Sequence, residues 1–258
     1  MTHTFKKDKL IVKIFESREE LGITSAKEVG NKIKELQLNQ QFINIIFAAA
    51  PSQNEFLKNI IRQDGVAWNR INAFHMDEYI GLPTEAPQGF GNFLKDRIFV
   101  NKPFHSVNYI NGQCESKAIE CIRYGKLLIE NPADIVCMGI GENGHLAFND
   151  PHVPNFNDKV KVKVVELDSL CRQQQVNDGC FTSIEQVPTQ ALTLTIPALL
   201  NGKHLFCMVP GKNKAQAVTN MINQEITERF PSTILRVHSS AILYLDIKSG
   251  EHFGLEKT

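Results

Sequence analysis

Short runs dominated by valine, isoleucine, leucine and phenylalanine alternate along this chain with longer stretches of helical spacing. The apolar runs cover residues 10–15, 42–47, 72–76, 107–110, 135–138, 160–165, 204–209 and 241–245. Each is short enough for a buried strand. Between them, apolar positions recur every three or four residues over 26–38, 53–61, 93–99, 115–129 and 213–223, the period of an amphipathic helix. Buried strands alternating with amphipathic helices predict an α/β fold. Its central sheet is mostly parallel, with helices on both faces. No internal repeat, low-complexity tract or linker interrupts the pattern, so residues 1–258 are expected to form one domain. Several strand-like runs end in glycine, asparagine, aspartate or proline. Ligands of open α/β sheets gather beyond the carboxyl ends of strands, which directs attention to four junctions.

Composition narrows the function classes. Of the 258 residues 42% are hydrophobic, enough for a sizeable core, and 28 basic residues balance 28 acidic ones. No overall field favours nucleic acid or a membrane surface, and no segment approaches a membrane span. Cys114, Cys121, Cys137, Cys171, Cys180 and Cys207 show no C-x-x-C pair. The polar, lysine-rich start lacks the apolar stretch of a secretory leader. A reducing cytoplasm is the expected setting.

At the first junction, Ala48-Ala49-Ala50-Pro51-Ser52 precedes a helical pattern. Ser52 and Glu55 have capping-box spacing, and free N–H groups at a helix start attract anions. An ordinary capped turn would carry the same residues. At the second, Phe74-His75-Met76-Asp77-Glu78-Tyr79 ends a strand in two adjacent carboxylates. An extended chain points them to opposite sides, so one reaches a pocket while the other anchors a loop. His75, inside the strand, reads as structural. At the fourth, Pro210-Gly211-Lys212-Asn213-Lys214 offers two lysines near a helix start as candidate phosphate ligands.

The third junction, Cys137-Met138-Gly139-Ile140-Gly141-Glu142-Asn143-Gly144-His145, contains G-x-G-x-x-G. A dinucleotide loop needs a long helix to follow, and Pro151 and Pro154 stand in its way. Nicotinamide and flavin are therefore disfavoured. The stretch reads instead as a glycine-rich bend in which Gly141 permits close backbone approach to a ligand. The bend presents Asn143, His145, Asn149 and Asp150. A histidine near a carboxylate can shuttle a proton, although spacing alone does not show that His145 meets Asp150. No H-x-H or H-E-x-x-H sets out metal ligands, and neither G-x-S-x-G nor a P-loop is present.

Four segments together resemble the glucosamine-6-phosphate deaminase/isomerase family. They are FHMDEYIGLP (74–83), GIGENGHLAFNDP (139–151), VPTQALTLT (187–195) and GKNKAQA (211–217). The resemblance spans nearly the whole chain. It implies a modified Rossmann-like fold working without a redox cofactor or metal on a hexosamine 6-phosphate, which it isomerises with release of ammonia. It implies that Asp77 transfers a proton between C1 and C2, that His145 assists ring opening and that Lys214 contacts phosphate. Asp150 stands where the family usually has glutamate, and Asn143 where some members have aspartate. Ala49, Ala50, Ser52, Glu78 and Gly141 are the further substrate-binding candidates. Arg172 lies close to, but displaced from, an arginine that the family uses on phosphate. The expected reaction converts glucosamine 6-phosphate to fructose 6-phosphate and ammonia. Galactosamine 6-phosphate as substrate, a 6-phosphogluconolactonase-like hydrolase and a non-catalytic sugar-phosphate sensor are the alternatives. The family includes monomers and hexamers, so a homo-oligomer is open.

Overall fold

A strand of four buried residues, Ile135–Met138, lies near the middle of the molecule. The computed structural model describes residues 3–253. In chain order the strands are β1 (His3–Lys7), β2 (Leu10–Phe15), β3 (Ile43–Phe47), β4 (Ile71–His75), β5 (Asp77–Tyr79), β6 (Ser106–Asn108), β7 (Ile135–Met138), β8 (Val162–Glu166), β9 (Gln190–Leu194), β10 (His204–Val209) and β11 (Ala241–Asp246). The helices are α1 (Arg18–Gln37), α2 (Asn54–Ile60), α3 (Phe90–Arg97), α4 (Lys117–Glu130), α5 (Ser169–Asn177), α6 (Ile196–Leu200) and α7 (Ala215–Asn223). The main sheet has the order β1-β2-β11-β10-β7-β3-β4-β6, and only its β1–β2 edge is antiparallel. A small antiparallel sheet, β5-β9-β8, stands beside it. The protein is an α/β fold with a mostly parallel central sheet between helices, its core divided into two buried apolar clusters. Among the described residues no helix is long and apolar enough to cross a membrane.

Local sequence explains the elements that frame the site. Ser17 starts α1 by accepting from Glu20 N–H at 3.1 Å, with Glu19 and Glu20 at the positive end of the helix. Gly22 of α1 sits against α2, where an added Cβ would come within 2.4 Å of Glu55 Cβ. The close pairing of these helices carries the turn after β3. The expected capping box of Ser52 and Glu55 does not form. Pro51 opens a 3₁₀ turn over Pro51–Gln53, and no side chain caps α2. Glu55 is drawn instead to Arg18, with contacts of 2.7 and 2.9 Å. Ser52 is thereby released from a capping role.

Residues β4 and β5 are consecutive in sequence but belong to different sheets, with Met76 between them. Buried His75 fixes this crossing. Its Nδ1 lies 2.9 Å from the Asp77 carbonyl, and its Nε2 accepts from Ile110 N–H at 2.9 Å. Both contacts are satisfied by the neutral ring with the proton on Nδ1. Burial pushes the His75 pKa down to about 4, from 6.5. The folded state therefore refuses a proton that the unfolded chain accepts. This contribution to stability is complete above pH 6.5 and is lost as pH falls towards 4, about 3 kcal/mol across that window. Urea unfolding between pH 7 and pH 4 is expected to show this slope in the native chain and lose it in His75→Gln. An equal slope in both would place the sensitivity elsewhere.

Candidate active site

Four turns converge at the carboxyl ends of β3, β4, β7 and β10. One cavity is lined by Ala48, Ala49, Ala50, Ser52 and Gln53 from the first turn and by Met76 and Asp77 from the second. Gly139, Ile140, Gly141, His145, Ala147 and Phe148 come from the third, and Lys214 from the fourth. The position obeys the rule for open α/β sheets, since β7 lies between β3 and β10 where the two flanks of the sheet meet.

The bend after β7 brings a histidine and a carboxylate together as one unit. His145 Nδ1 lies 3.0 Å from Asp150 Oδ1. The approach is off the ring N–H axis, which leaves Nδ1 close to the carboxylate without an aligned hydrogen bond. Asn143 organises the unit: its amide donates to Asp150 Oδ1 at 2.9 Å and to Asp168 Oδ2 at 3.2 Å, and its Oδ1 accepts from His145 N–H at 3.1 Å. Asp168 N–H approaches Asp150 Oδ2 at 3.4 Å. Burial alone would push the Asp150 carboxyl up. Its contacts with His145, Asn143 and Asp168 more than offset that and hold it below its ordinary value. Asn143 is thus a positioning residue for this unit and does not line the cavity.

Gly141 is the floor on which the imidazole lies. A Cβ there would stand 2.1–2.3 Å from three ring atoms of His145. With Nδ1 turned to Asp150, Nε2 is the nitrogen left for the cavity. The following residues are pinned to the small sheet. Phe148 N–H donates to Thr193 Oγ1 at 3.1 Å, and the Asn149 amide donates to the Leu194 and Leu146 carbonyls at 2.8 and 2.9 Å. Thr193 is also the register partner of Asp77, so β9 ties the bend to the strand carrying the aspartate.

Asp77 and Glu78 diverge as extended backbone requires. Asp77 lines the cavity, and burial, with the neighbouring Glu78 charge, holds its pKa well above the ordinary value. Glu78 is a correction to the expected binding set, because it points the other way. Its carboxylate accepts from the N–H groups of Tyr79, Phe90 and Gly91 at 2.9, 3.0 and 2.8 Å and closes the start of α3. The N–H groups of Phe90 and Gly91 are the free donors of a helix terminus, a strong hold on an anion.

The remaining wall is suited to an anion. Lys214 is 3% exposed, and among the described residues no carboxylate lies within ion-pair distance of its ammonium. Burial lowers its pKa, opposed by the more distant charges of Asp178 and Glu142. The Gln53 amide donates to Met208 O at 3.1 Å and Ser52 Oγ at 3.2 Å, fixing the serine beside the cavity. Arg172 is the second correction. It lies outside the cavity lining and donates to the Ile184 and Val187 carbonyls at 2.5 and 2.9 Å. The same helix sends Gln174 and Gln175 to the cavity instead. Gln174 is engaged with Glu142 N–H at 2.9 Å and Asp178 at 3.3 Å.

Sequence reasoning missed Gln53, Gln174, Gln175, Asp168, Phe90 and Phe148. Phe90 and Phe148 stack with ring centroids 5.4 Å apart and form an apolar wall. The cap at Asp168, accepting from Cys171 N–H at 2.6 Å, was the signal that would have revealed α5 and its glutamines.

A buried carboxyl, a histidine beside a carboxylate and a buried lysine line or adjoin one cavity, the side-chain types that acid–base chemistry on an anion would use. The model of the family described as glucosamine-6-phosphate isomerases/6-phosphogluconolactonase matches residues 16–244. A glucosamine-6-phosphate deaminase of Streptococcus uberis is 36% identical over 192 residues, 74% of this chain and 79% of that protein. One from Streptococcus sanguinis is 33% identical over 199 residues, covering 77% and 82%. The solved structure of a monomeric glucosamine-6-phosphate deaminase superposes with a TM-score of 0.85 at 29% identity, over 93% of this chain and 98% of that one. A 6-phosphogluconolactonase of Thermotoga maritima shares the fold, at TM-score 0.75 and 17% identity over 92% and 100%. The chain belongs to the glucosamine-6-phosphate isomerase/6-phosphogluconolactonase family.

Proposed function

We propose that this protein converts glucosamine 6-phosphate and water to fructose 6-phosphate and ammonia. The observation that carries the reading is that Asp77, raised towards its protonated form by burial, lines the same cavity as His145 seated on Asp150. A non-catalytic binding pocket has no need of two separate proton carriers. The relatives named as deaminases support the choice of substrate.

In this reaction the phosphate rests against Lys214, Ser52 and neighbouring backbone N–H groups. His145 Nε2 delivers a proton to the ring oxygen as the sugar opens, and Asp150 balances the charge on the imidazole. Ionised Asp77 takes the proton from C2 and returns it to C1, passing through an enolamine and leaving an imine at C2. Water adds to that imine and ammonia departs. A carboxylate with a raised pKa is better matched to a carbon-bound proton than an ordinary one, provided it is ionised at the working pH.

Ammonia release from a panel of hexosamine 6-phosphates, with lactone hydrolysis assayed in parallel, tests the proposal. Release from glucosamine 6-phosphate is the expected result. Release from galactosamine 6-phosphate alone would change the sugar. Lactone hydrolysis without ammonia would point to the hydrolase branch, and tight binding without turnover to a sensor. Lys214→Gln is expected to raise KM for the phosphorylated substrate about 10–100-fold with a smaller effect on kcat, the loss of one charge-assisted contact. An unchanged KM would remove Lys214 from the phosphate site.

A further inference from the structure

The fold brings Cys171 of α5 to the His145–Asp150 pair of the bend, three donor side chains in all. His145 Nδ1, a carboxylate oxygen of Asp150 and Cys171 Sγ all lie within 4.8 Å of one another. The first two are 3.0 Å apart. His145 is 8%, Asp150 0% and Cys171 2% exposed. The His145 Nδ1 atom is buried without a hydrogen-bond partner, although it is aimed into this cluster. Donor atoms of a tetrahedral zinc site stand about 3.3–3.8 Å apart, as follows from bond lengths of about 2.0–2.3 Å. Side-chain shifts of about 1 Å would therefore bring all three onto one ion.

We propose that His145, Asp150 and Cys171 form a binding site for a borderline-soft divalent cation, with Zn²⁺ the best match. A nitrogen, an oxygen and a sulfur donor suit Zn²⁺ and not Mg²⁺ or Ca²⁺, which take oxygen ligands. On binding, the Cys171 thiol gives up its proton to solvent and the sulfur bonds to the metal as thiolate. Three protein ligands leave the fourth position to water. Occupancy would hold the imidazole by Nδ1 and claim the Asp150 charge, so the metal-loaded protein is expected to lose proton transfer at His145. The ion must enter past the ring that lines the cavity, and onset should be slow. The site follows from the placement of three side chains and does not depend on the choice of substrate.

The test uses the full chain stripped with a chelator and titrated with Co²⁺. One equivalent is expected to produce a thiolate-to-cobalt charge-transfer band, which Zn²⁺ then displaces. Cys171→Ser is expected to abolish the band and weaken Zn²⁺ binding about 100-fold or more, since outer-sphere changes alone reach 10–100-fold. His145→Gln should weaken Zn²⁺ binding too, which keeps the test decisive if the serine variant fails to fold. Absence of the band would overturn the proposal. So would a band that survives Cys171→Ser and disappears in Cys121→Ser. Where ammonia release is measurable, Zn²⁺ should suppress it slowly and chelator restore it. The cobalt band needs no turnover, so failure of the deaminase reading would leave this result standing.

Discussion

Asp77→Asn is expected to lower kcat for ammonia release about 10²–10⁴-fold while leaving KM within a few-fold. That is the range for removing a positioned acid/base group from a proton transfer. The substitution keeps the shape of the side chain and its place at the crossing from β4 to β5. It removes the only ionisation the carbon-bound proton transfer requires. In the native chain the acidic limb of kcat/KM should lie above the usual carboxylate range, because burial raises the Asp77 pKa. Stability should move in the opposite direction to activity. A carboxyl whose folded pKa is raised contributes stability below its unfolded pKa and loses it as pH rises. The asparagine variant should therefore unfold at a temperature no lower than the native chain at pH 8. Activity within tenfold of native would sink the proton-transfer role.

Gly141→Ala should be nearly as damaging, through space alone. The new Cβ would occupy the position of the His145 ring, 2.1–2.3 Å from three of its atoms. The ring must move by about an ångström or more, a displacement that can cost about 10²-fold in rate. Gly139→Ala provides the comparison within the same turn. Its Cβ would meet Gln53 Nε2 at 3.0 Å and the Met208 carbonyl at 3.4 Å, contacts that do not involve the His145 ring. We expect the first substitution to cut kcat about 10²-fold and the second to have a much smaller effect. Equal effects would mean that the seat of the imidazole is not what Gly141 supplies.

The two glycines show what was readable in the sequence and what was not. Their presence after an apolar strand announced a close approach, but not that the approaching group is a side chain from the same bend. The main strands were legible from their apolar runs: residues 10–15, 135–138 and 204–209 coincide with β2, β7 and β10, and the last two are buried on both faces. Strand β1 was missed because it is a polar edge, and β5 because three residues make no period. The polar run SLCRQQQVN gives little sign of the helix it forms, α5, which depends on the Asp168 cap. Losing that helix concealed Asp168, Cys171, Gln174 and Gln175 together. Alternation along β5 did imply that Asp77 and Glu78 face apart, yet composition could not say that the second closes a helix. Nor could the spacing of Arg172 reveal that its guanidinium is consumed by the Ile184 and Val187 carbonyls.

The position of β7 also bears on the chain as it is being made. Its wholly apolar run is complete at Met138, and one long edge can pair at once with β3, which already exists. The other edge waits for β10, which begins only at His204. Until then a growing chain exposes an unpaired apolar strand edge, the kind that invites pairing with another chain. The strand that later seats the histidine bend is therefore, during synthesis, one point at which the nascent protein needs shelter.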